Sequence, residues 1–489
     1  MIVKTDADSV FPYTYDSSNL KGNADIVYIP ESIEELKQAI KVNYDNNILI
    51  NFSGSGTGIT GSRVPIGGAV ISTEKLKSII EFNDDYVVIE PGISLLELNE
   101  FLEEKGKFLP PNPTEINASI GGNIATNASG ARSFKYGAIR NWILGLEIIL
   151  SNGESIYIER GQILSKDGYI EFKTNQDNNF KIETFDIGMP KVKNASGYYL
   201  AEKIDLIDLF IGSEGTLGAY GKIKVRIIDK PSNILGAVIY FDNSKKLLQF
   251  VEFVRSSSLL NNQLNFENNQ EISARLIEYF DSNSLDLLRP KYTQIPQNAI
   301  GAVWIEQEYA QQYEEHILEK WYSIISEYTN LSDDTWIALN DKEHENLREF
   351  RHELPLQVYE NLTNNSQKKV GLDTAVPDES FHELFKFYLD NFSKLNLQNV
   401  IFGHIGNSHL HANIFCKNDE EYQKALEIYD KVIDLSLKIG GTVSAEHGIG
   451  KLKKKYLIKM YGQEIIDKMK QIKKTLDTKS LLNIGTMFD

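Results

Sequence analysis

Four of the eight histidines fall between positions 404 and 447: His404, His409, His411 and His447. The segment NVIFGHIGNSHLHANIF (399–415) reads as strand, turn, strand. On its second strand the period of two puts His409, His411 and Asn413 on one face. His404 ends the first strand and can turn toward the same place. GTVSAEHGIG (441–450) presents Glu446 and His447 between glycines. Two imidazoles and one carboxylate make a facial metal site with positions left for a substrate. A divalent ion there polarises an alcohol and a neighbouring carboxylate together. The remaining histidine can take the alcohol proton, a role worth about 10²–10⁴ in rate. One histidine alone would read as an ordinary core or surface residue. A cluster with a flanking acid in glycine-framed turns points to chemistry.

A second constellation concerns binding. SGSGTGITGSRVPIGG (53–68) directly follows the apolar run ILINF. Glycine lets backbone N–H groups approach an anion closely, and small hydroxyls add donors. The run is not a GxGxxG opening a long helix, and it lacks the GK[ST] ending of a phosphate-transfer loop. Two more dense runs follow, PPNPTEINASIGGNIATNASGARSFKYG (110–137) and IGSEGTLG (211–218). Three such runs suggest one extended ligand held along its length, where a lone phosphate would need one loop.

Positioning these residues requires an α/β framework. IVYI, closed by Pro30, is followed by a capping-box pattern, Ser32 with Glu35, ahead of an apolar-periodic helix and then ILINF. VVIEPGISLLELNEFLEEKG (87–106) repeats the strand–turn–helix pattern, with Gly106 as C-cap. KIKVRIID (222–229) reads as a strand ending at Lys230-Pro231, which sets a domain boundary near 230. Strands such as AVIYF and AVWIEQ alternate with amphipathic helices from there to about 450. A helical tail begins near 452 and ends in NIGTMFD.

At 489 residues the chain exceeds a single hydrophobic core. Its net charge of −17 argues against wrapping nucleic acid and against a general attraction to anionic lipid. The single cysteine, Cys416, excludes an iron–sulfur cluster and a disulfide framework within this chain. The N-terminus shows no secretory signal and no stretch reaches a membrane span. The expected location is cytoplasmic. The basic run KLKKKYL (451–457) leaves open a weak peripheral contact at the inner membrane face, although a short lysine turn is more often a solvated surface.

These motifs resemble the FAD-linked oxidases of the vanillyl-alcohol oxidase (PCMH-type) superfamily. Within it they are similar to the D-2-hydroxyacid dehydrogenase branch, which includes D-lactate dehydrogenase, the D subunit of glycolate oxidase and D-2-hydroxyglutarate dehydrogenase. The family pattern GGGTGLSGGAVP corresponds to GSGTGITGSRVP (54–65), GSEGTLG is unchanged, and LNPGKVF corresponds to LNIGTMF (482–488). The resemblance runs from about Asp16 to Phe488. It implies an α+β fold: a two-subdomain PCMH-type FAD-binding domain (1–230), an α/β cap carrying substrate and metal (231–451), and a C-terminal helical segment (452–489) returning to the flavin. It implies FAD contacts from Ser53, Gly54, Ser55, Gly56, Thr57, Gly58 and Ser62. Further contacts are implied from Pro111, Thr114, Gly121, Gly122, Ala125, Asn127, Gly130, Glu214, Gly215 and Asn483. All histidines lie at or after His316, so the FAD is expected to be noncovalent.

The family's GHIGDGNLH…SAEHG corresponds to GHIGNSHLH…SAEHG. The match implies His404, His411 and Glu446 as ligands of a divalent metal, zinc or manganese, and His447 as general base. The chain departs from the family where Asp-Gly-Asn becomes Asn407-Ser408-His409, which leaves His409 as either a spare ligand or a polar rim residue. Arg351 in LREFRHELP stands at the family's substrate-carboxylate position, with Arg348 as competitor, and Asn413 joins the substrate site. Members that take dicarboxylates carry a lysine where this chain has Gly371. The reading therefore favours D-lactate or glycolate, unless Lys368 or Lys369 compensates. The implied activity is FAD-dependent oxidation of a D-2-hydroxy acid to the 2-oxo acid. Electrons would pass to a quinone, an electron-transfer flavoprotein, a separate iron–sulfur subunit or oxygen. A homodimer is left open. The rivals are a flavin oxidase of another alcohol class, sugar lactone or aromatic, and a non-catalytic flavin subunit of a redox complex.

Overall fold

The computed structural model describes residues 1–261 and 269–489. The first apolar runs become strands Ile26–Ile29 and Ile50–Ser53, separated by the helix Ile33–Asp45. Ser32 caps that helix by accepting from the Glu35 amide. The two strands belong to a four-stranded sheet with Ile2–Lys4 at one edge and Ala69–Ser72 between them. A five-stranded antiparallel sheet follows, in the order Ile79–Phe82, Tyr86–Ile89, Ala219–Arg226, Ile143–Ile149, Ser155–Glu159. Its central strand, Ala219–Arg226, comes from the segment read as KIKVRIID.

Beyond Asn233 the strands join a seven-stranded antiparallel sheet. Its order is Trp336–Ala338, Asn233–Phe241, Gly301–Tyr309, Ala274–Asp281, Asn399–Gly403, His409–Cys416, Lys368–Ala375. Helices alternate with these strands as the apolar spacing implied, and the long ones, such as Asp341–Asn364 and Asp419–Lys438, pack on the sheet. This order brings Ala274–Asp281 beside Asn399–Gly403, and His409–Cys416 beside Lys368–Ala375. Glu278, 126 residues from His404 in the chain, thereby reaches it.

The two halves are joined by buried charge. Lys135 Nζ lies 2.6 Å from Glu308, whose other oxygen accepts from Tyr136 and from Arg275. Such desolvated ions are tolerated only when paired. The C-terminal helix Lys454–Leu476 leads back to the first sheet. There Ile50 N donates to Leu481 O and Asn483 N donates to Ile50 O. Among the described residues no helix is long and apolar enough to cross a membrane. The lysines of 451–457 do not form one free patch: Lys453 is buried on Asp373, while Lys451, Lys454 and Lys455 meet Thr486, Asp489 and Asp430.

Candidate functional site

A cleft opens between the four- and five-stranded sheets. Its lining includes Ser53, Gly54, Ser55, Gly56, Thr57, Gly58, Ser62, Gly121, Gly122, Ala125, Glu214, Gly215 and Asn483. A Cβ on Gly54 would lie 2.5 Å from Ser119 Oγ, and Gly56 has φ +80°, so the loop holds its shape only as glycine. The extended lining from three separate glycine-rich runs, with its small side chains, suits a long nucleotide-like cofactor. The helix Ile120–Ala125 begins at this wall, with the Ser119 side chain accepting from Gly122 N.

Four other sequence candidates lie off the cleft. Thr114 is exposed and Pro111 is buried behind the wall. Gly130 packs so closely that a Cβ would sit 2.1 Å from Asn112 O. Asn127 spends its amide on Asn194 O and Arg140 N, and lines a neighbouring cleft with Ser129, Lys193 and Asn407.

Glu214 and Asn483 brace the cleft. Asn483 accepts from Phe52 N at 2.8 Å and donates to Glu214 O at 2.9 Å. The Glu214 carboxylate accepts from Ser62, from Ile449 N and from Gly450 N. Burial still pushes its pKa up. Thr60 Oγ1 donates to His447 O at 3.1 Å, and Lys451 N donates to Thr60 O. The first glycine loop and the His447 turn therefore share a wall.

Behind that wall stands the histidine cluster. His404 Nε2 lies 3.2 Å and His411 Nε2 3.4 Å from Glu446 Oε2. The other Glu446 oxygen meets Lys193 and Ser129 Oγ. Gly403, at φ +113°, makes the close approach possible, because a Cβ there would lie 2.8 Å from His411 Cδ2. His404 Nδ1 is held by Glu278, and Arg351 Nε donates to the other Glu278 oxygen at 3.0 Å. Arg351 is buried and its Nη1 has no hydrogen-bond partner among the described residues. Arg348 is half-buried and pairs with Glu345. Asn413 faces Gly371 across the strand pair.

His409 is fully buried, so it is not a rim residue. Its Nε2 lies 3.0 Å from Asp373 Oδ1. Asp373 Oδ2 faces His447 Nδ1 at 3.0 Å and Lys453 Nζ at 2.9 Å.

The electrostatics suit cation binding. Burial pushes His411 down to about 3 and His409 to about 4, which keeps both imidazoles neutral. Burial also disfavours charge on His404, but Glu278 and Glu446 outweigh it and raise its pKa. Desolvation opposes ionisation of Glu446 and Asp373, yet the neighbouring histidines and lysines hold both well below the usual carboxylate range. Neutral His411 and His409 beside ionised Glu446 match the donor set a divalent ion requires, and a cation would take the place of the proton that Glu278 and Glu446 favour on His404.

Glu278, Asp373, Lys193, Ser129 and Lys453 were not singled out from sequence. Asp373 alone carried a usable signal: with Gly371 it occupies alternate positions on a strand, and so shares its face.

The segment 237–487 matches the model of the FAD linked oxidases, C-terminal domain, and 24–158 matches an FAD binding domain. The glycolate oxidase subunit GlcD of Bacillus subtilis (strain 168) is 27% identical, over 97% of this chain and 92% of the relative. The D-lactate dehydrogenase of Anaerostipes hadrus is 26% identical, over 97% and 92%. The D-2-hydroxyglutarate dehydrogenase of Stutzerimonas stutzeri (strain A1501) is 26% identical, over 99% and 96%. Among solved structures, the 4-ethylphenol oxidase from Gulosibacter chungangensis superposes with TM-score 0.71 at 14% identity, covering 99% of this chain and 94% of that one. It shares the fold.

Proposed function

This chain belongs to the FAD-linked oxidases, an FAD-dependent oxidoreductase family, and from that premise we propose that it oxidises a D-2-hydroxy acid to the 2-oxo acid. D-lactate and glycolate are the favoured substrates. The observation that carries this reading is Arg351. Its guanidinium has an unpartnered Nη1 and stands one carboxylate, Glu278, away from the histidine cluster. A guanidinium with a free edge suits a substrate carboxylate. The adjoining His/His/Glu set suits the hydroxyl.

Noncovalent FAD, bound in the glycine-walled cleft, supplies the acceptor for the C2 hydride. A divalent ion, zinc or manganese, held by His404, His411 and Glu446 would lower the pKa of the substrate hydroxyl. The chain's own residues do the rest. Arg351 and Asn413 orient the acid. His447 Nε2 takes the hydroxyl proton while its Nδ1 faces Asp373, which fixes the ring and stabilises the imidazolium. The single, buried Cys416 cannot hold a cluster, so electrons would leave through a quinone, an electron-transfer flavoprotein or a separate iron–sulfur subunit. The segments 1–230, 231–451 and 452–489 would serve as cofactor, cap and returning tail.

One observation favours a second substrate. Gly371 sits close to Asn413 and Lys369: a Cβ there would lie 3.0 Å from Asn413 Oδ1 and 3.8 Å from Lys369 Cε. Lys369 therefore stands beside the place where a distal carboxylate of D-2-hydroxyglutarate would reach. Lys368 faces Asp419 instead.

Anaerobic bleaching of the flavin absorbance tests the proposal, with D-lactate, L-lactate, glycolate and D-2-hydroxyglutarate in parallel. Fast bleaching by one D-acid (or by glycolate), lost on adding a chelator, supports it. Flavin that stays oxidised with all four sinks it. A preference for D-2-hydroxyglutarate transfers the choice to the Lys369 reading.

A further inference from the structure

We propose that His409 is a fourth protein ligand of the divalent ion, through Nδ1, which makes the centre three imidazoles and one carboxylate. The inference rests on the metal part of the function proposed above. One donor atom from each of His404, His409, His411 and Glu446 can be chosen so that all lie within 4.8 Å of one another. The His409 ring centroid is 4.6 Å from that of His411 and 5.2 Å from that of His404. Its side chain is wholly buried, and Nδ1 has no hydrogen-bond partner among the described residues. A buried nitrogen with a lone pair or a proton and nothing to meet it is costly, and a bound cation removes that cost.

The far side of the ring has the partner such a ligand needs. Nε2 lies 3.0 Å from Asp373 Oδ1, the carboxylate–histidine relay that orients metal-bound imidazoles. Asp373 itself is a poorer candidate ligand. Its Oδ1 is taken by His409, and its Oδ2 by His447, Lys453 and Ser444. His447 Nδ1 is committed to the same carboxylate, which leaves Nε2 for proton transfer.

A consequence for metal choice follows. Four protein donors close a tetrahedral shell, and zinc in that state leaves no vertex for substrate. A 2-hydroxy acid chelating through its hydroxyl and carboxylate oxygens needs two more positions. The centre therefore suits an ion that accepts six ligands over zinc held to four.

The test uses the full chain with its FAD, stripped of metal and titrated with Mn²⁺, Zn²⁺ and Co²⁺. His409→Gln places an amide near the position of Nε2, where it still meets Asp373, and removes the Nδ1 donor. It is expected to weaken Mn²⁺ binding at least tenfold and to change the visible Co²⁺ spectrum, with flavin content unchanged. Affinity within twofold of wild type and an unaltered Co²⁺ spectrum would overturn the proposal. A measurement on the wild type alone guards against a misfolded variant. Co²⁺-loaded protein should show three hyperfine-shifted, exchangeable imidazole N–H protons, and two would overturn the proposal. If the wild type takes up no ion, this inference and the metal part of the function fail together. If uptake depends on His409 but no 2-hydroxy acid bleaches the flavin, the ligand assignment stands and the proposed activity fails.

Discussion

Asp373 Oδ2, on the strand Lys368–Ala375, lies 3.0 Å from Nδ1 of His447. The contact fixes which nitrogen of His447 is free. His447→Ala should retain FAD but lose substrate-driven bleaching by about 10²–10⁴. Asp373→Asn should lower the same rate with the absorbance of bound flavin unchanged. Stopped-flow reduction measures both, and near-normal bleaching in His447→Ala removes it from the base role.

Arg351 donates to Glu278 through Nε and keeps Nη1 free. A lysine offers one point charge and cannot serve both. Arg351→Lys is expected to raise KM for the hydroxy acid by about tenfold or more, with a smaller effect on kcat. Arg348→Lys, at a partly exposed pair with Glu345, should change neither. Steady-state kinetics on the two variants separates the candidates.

Gly403 allows the His411 ring to lie where a Cβ would intrude to 2.8 Å. Gly403→Ala combines that clash with a strained φ of +113°. It should cost about 1–3 kcal/mol of stability and reduce metal uptake, while the FAD cleft, which Gly403 does not line, stays filled. Metal content and flavin content on one sample give the answer. Equal loss of both would mean a general fold defect.

Asp281 caps the helix Ser282–Leu288 and is buried. Burial pushes its pKa up from 3.8 to about 6. Between those values the folded chain binds more protons than the unfolded one. Stability therefore falls as pH rises through that window, and the cost is fully present at pH 7. Asn keeps the cap without the charge. Asp281→Asn should gain about 1–3 kcal/mol at pH 7 and lose its advantage below about pH 4. Denaturant midpoints at the two pH values check it, and an equal gain at both would rule out ionisation as the cause.

Local pattern alone was enough for the elements that bear the chemistry. The period of two in HLHAN predicted that His409, His411 and Asn413 share a face, and the strand His409–Cys416 carries them so. Glycine-rich runs following strands predicted a cleft for an extended ligand, because backbone approach is a local property of glycine. Cysteine and histidine counts bounded the redox chemistry before any fold was known.

Partner choice is different, because it depends on which strands become neighbours. Glu278 reaches His404 only because Ala274–Asp281 lies beside Asn399–Gly403 in the sheet. Asp373 reaches His409 and His447 only because Lys368–Ala375 takes the edge next to His409–Cys416. Thr114 looked like a pocket residue and is exposed, while Lys453 looked like a solvated lysine and is buried on Asp373. Desolvation and charge pairing are set by these long-range adjacencies. The amino-acid sequence by itself determined which residue types stand at which spacing, and only the tertiary structure decided which of them lose water and meet.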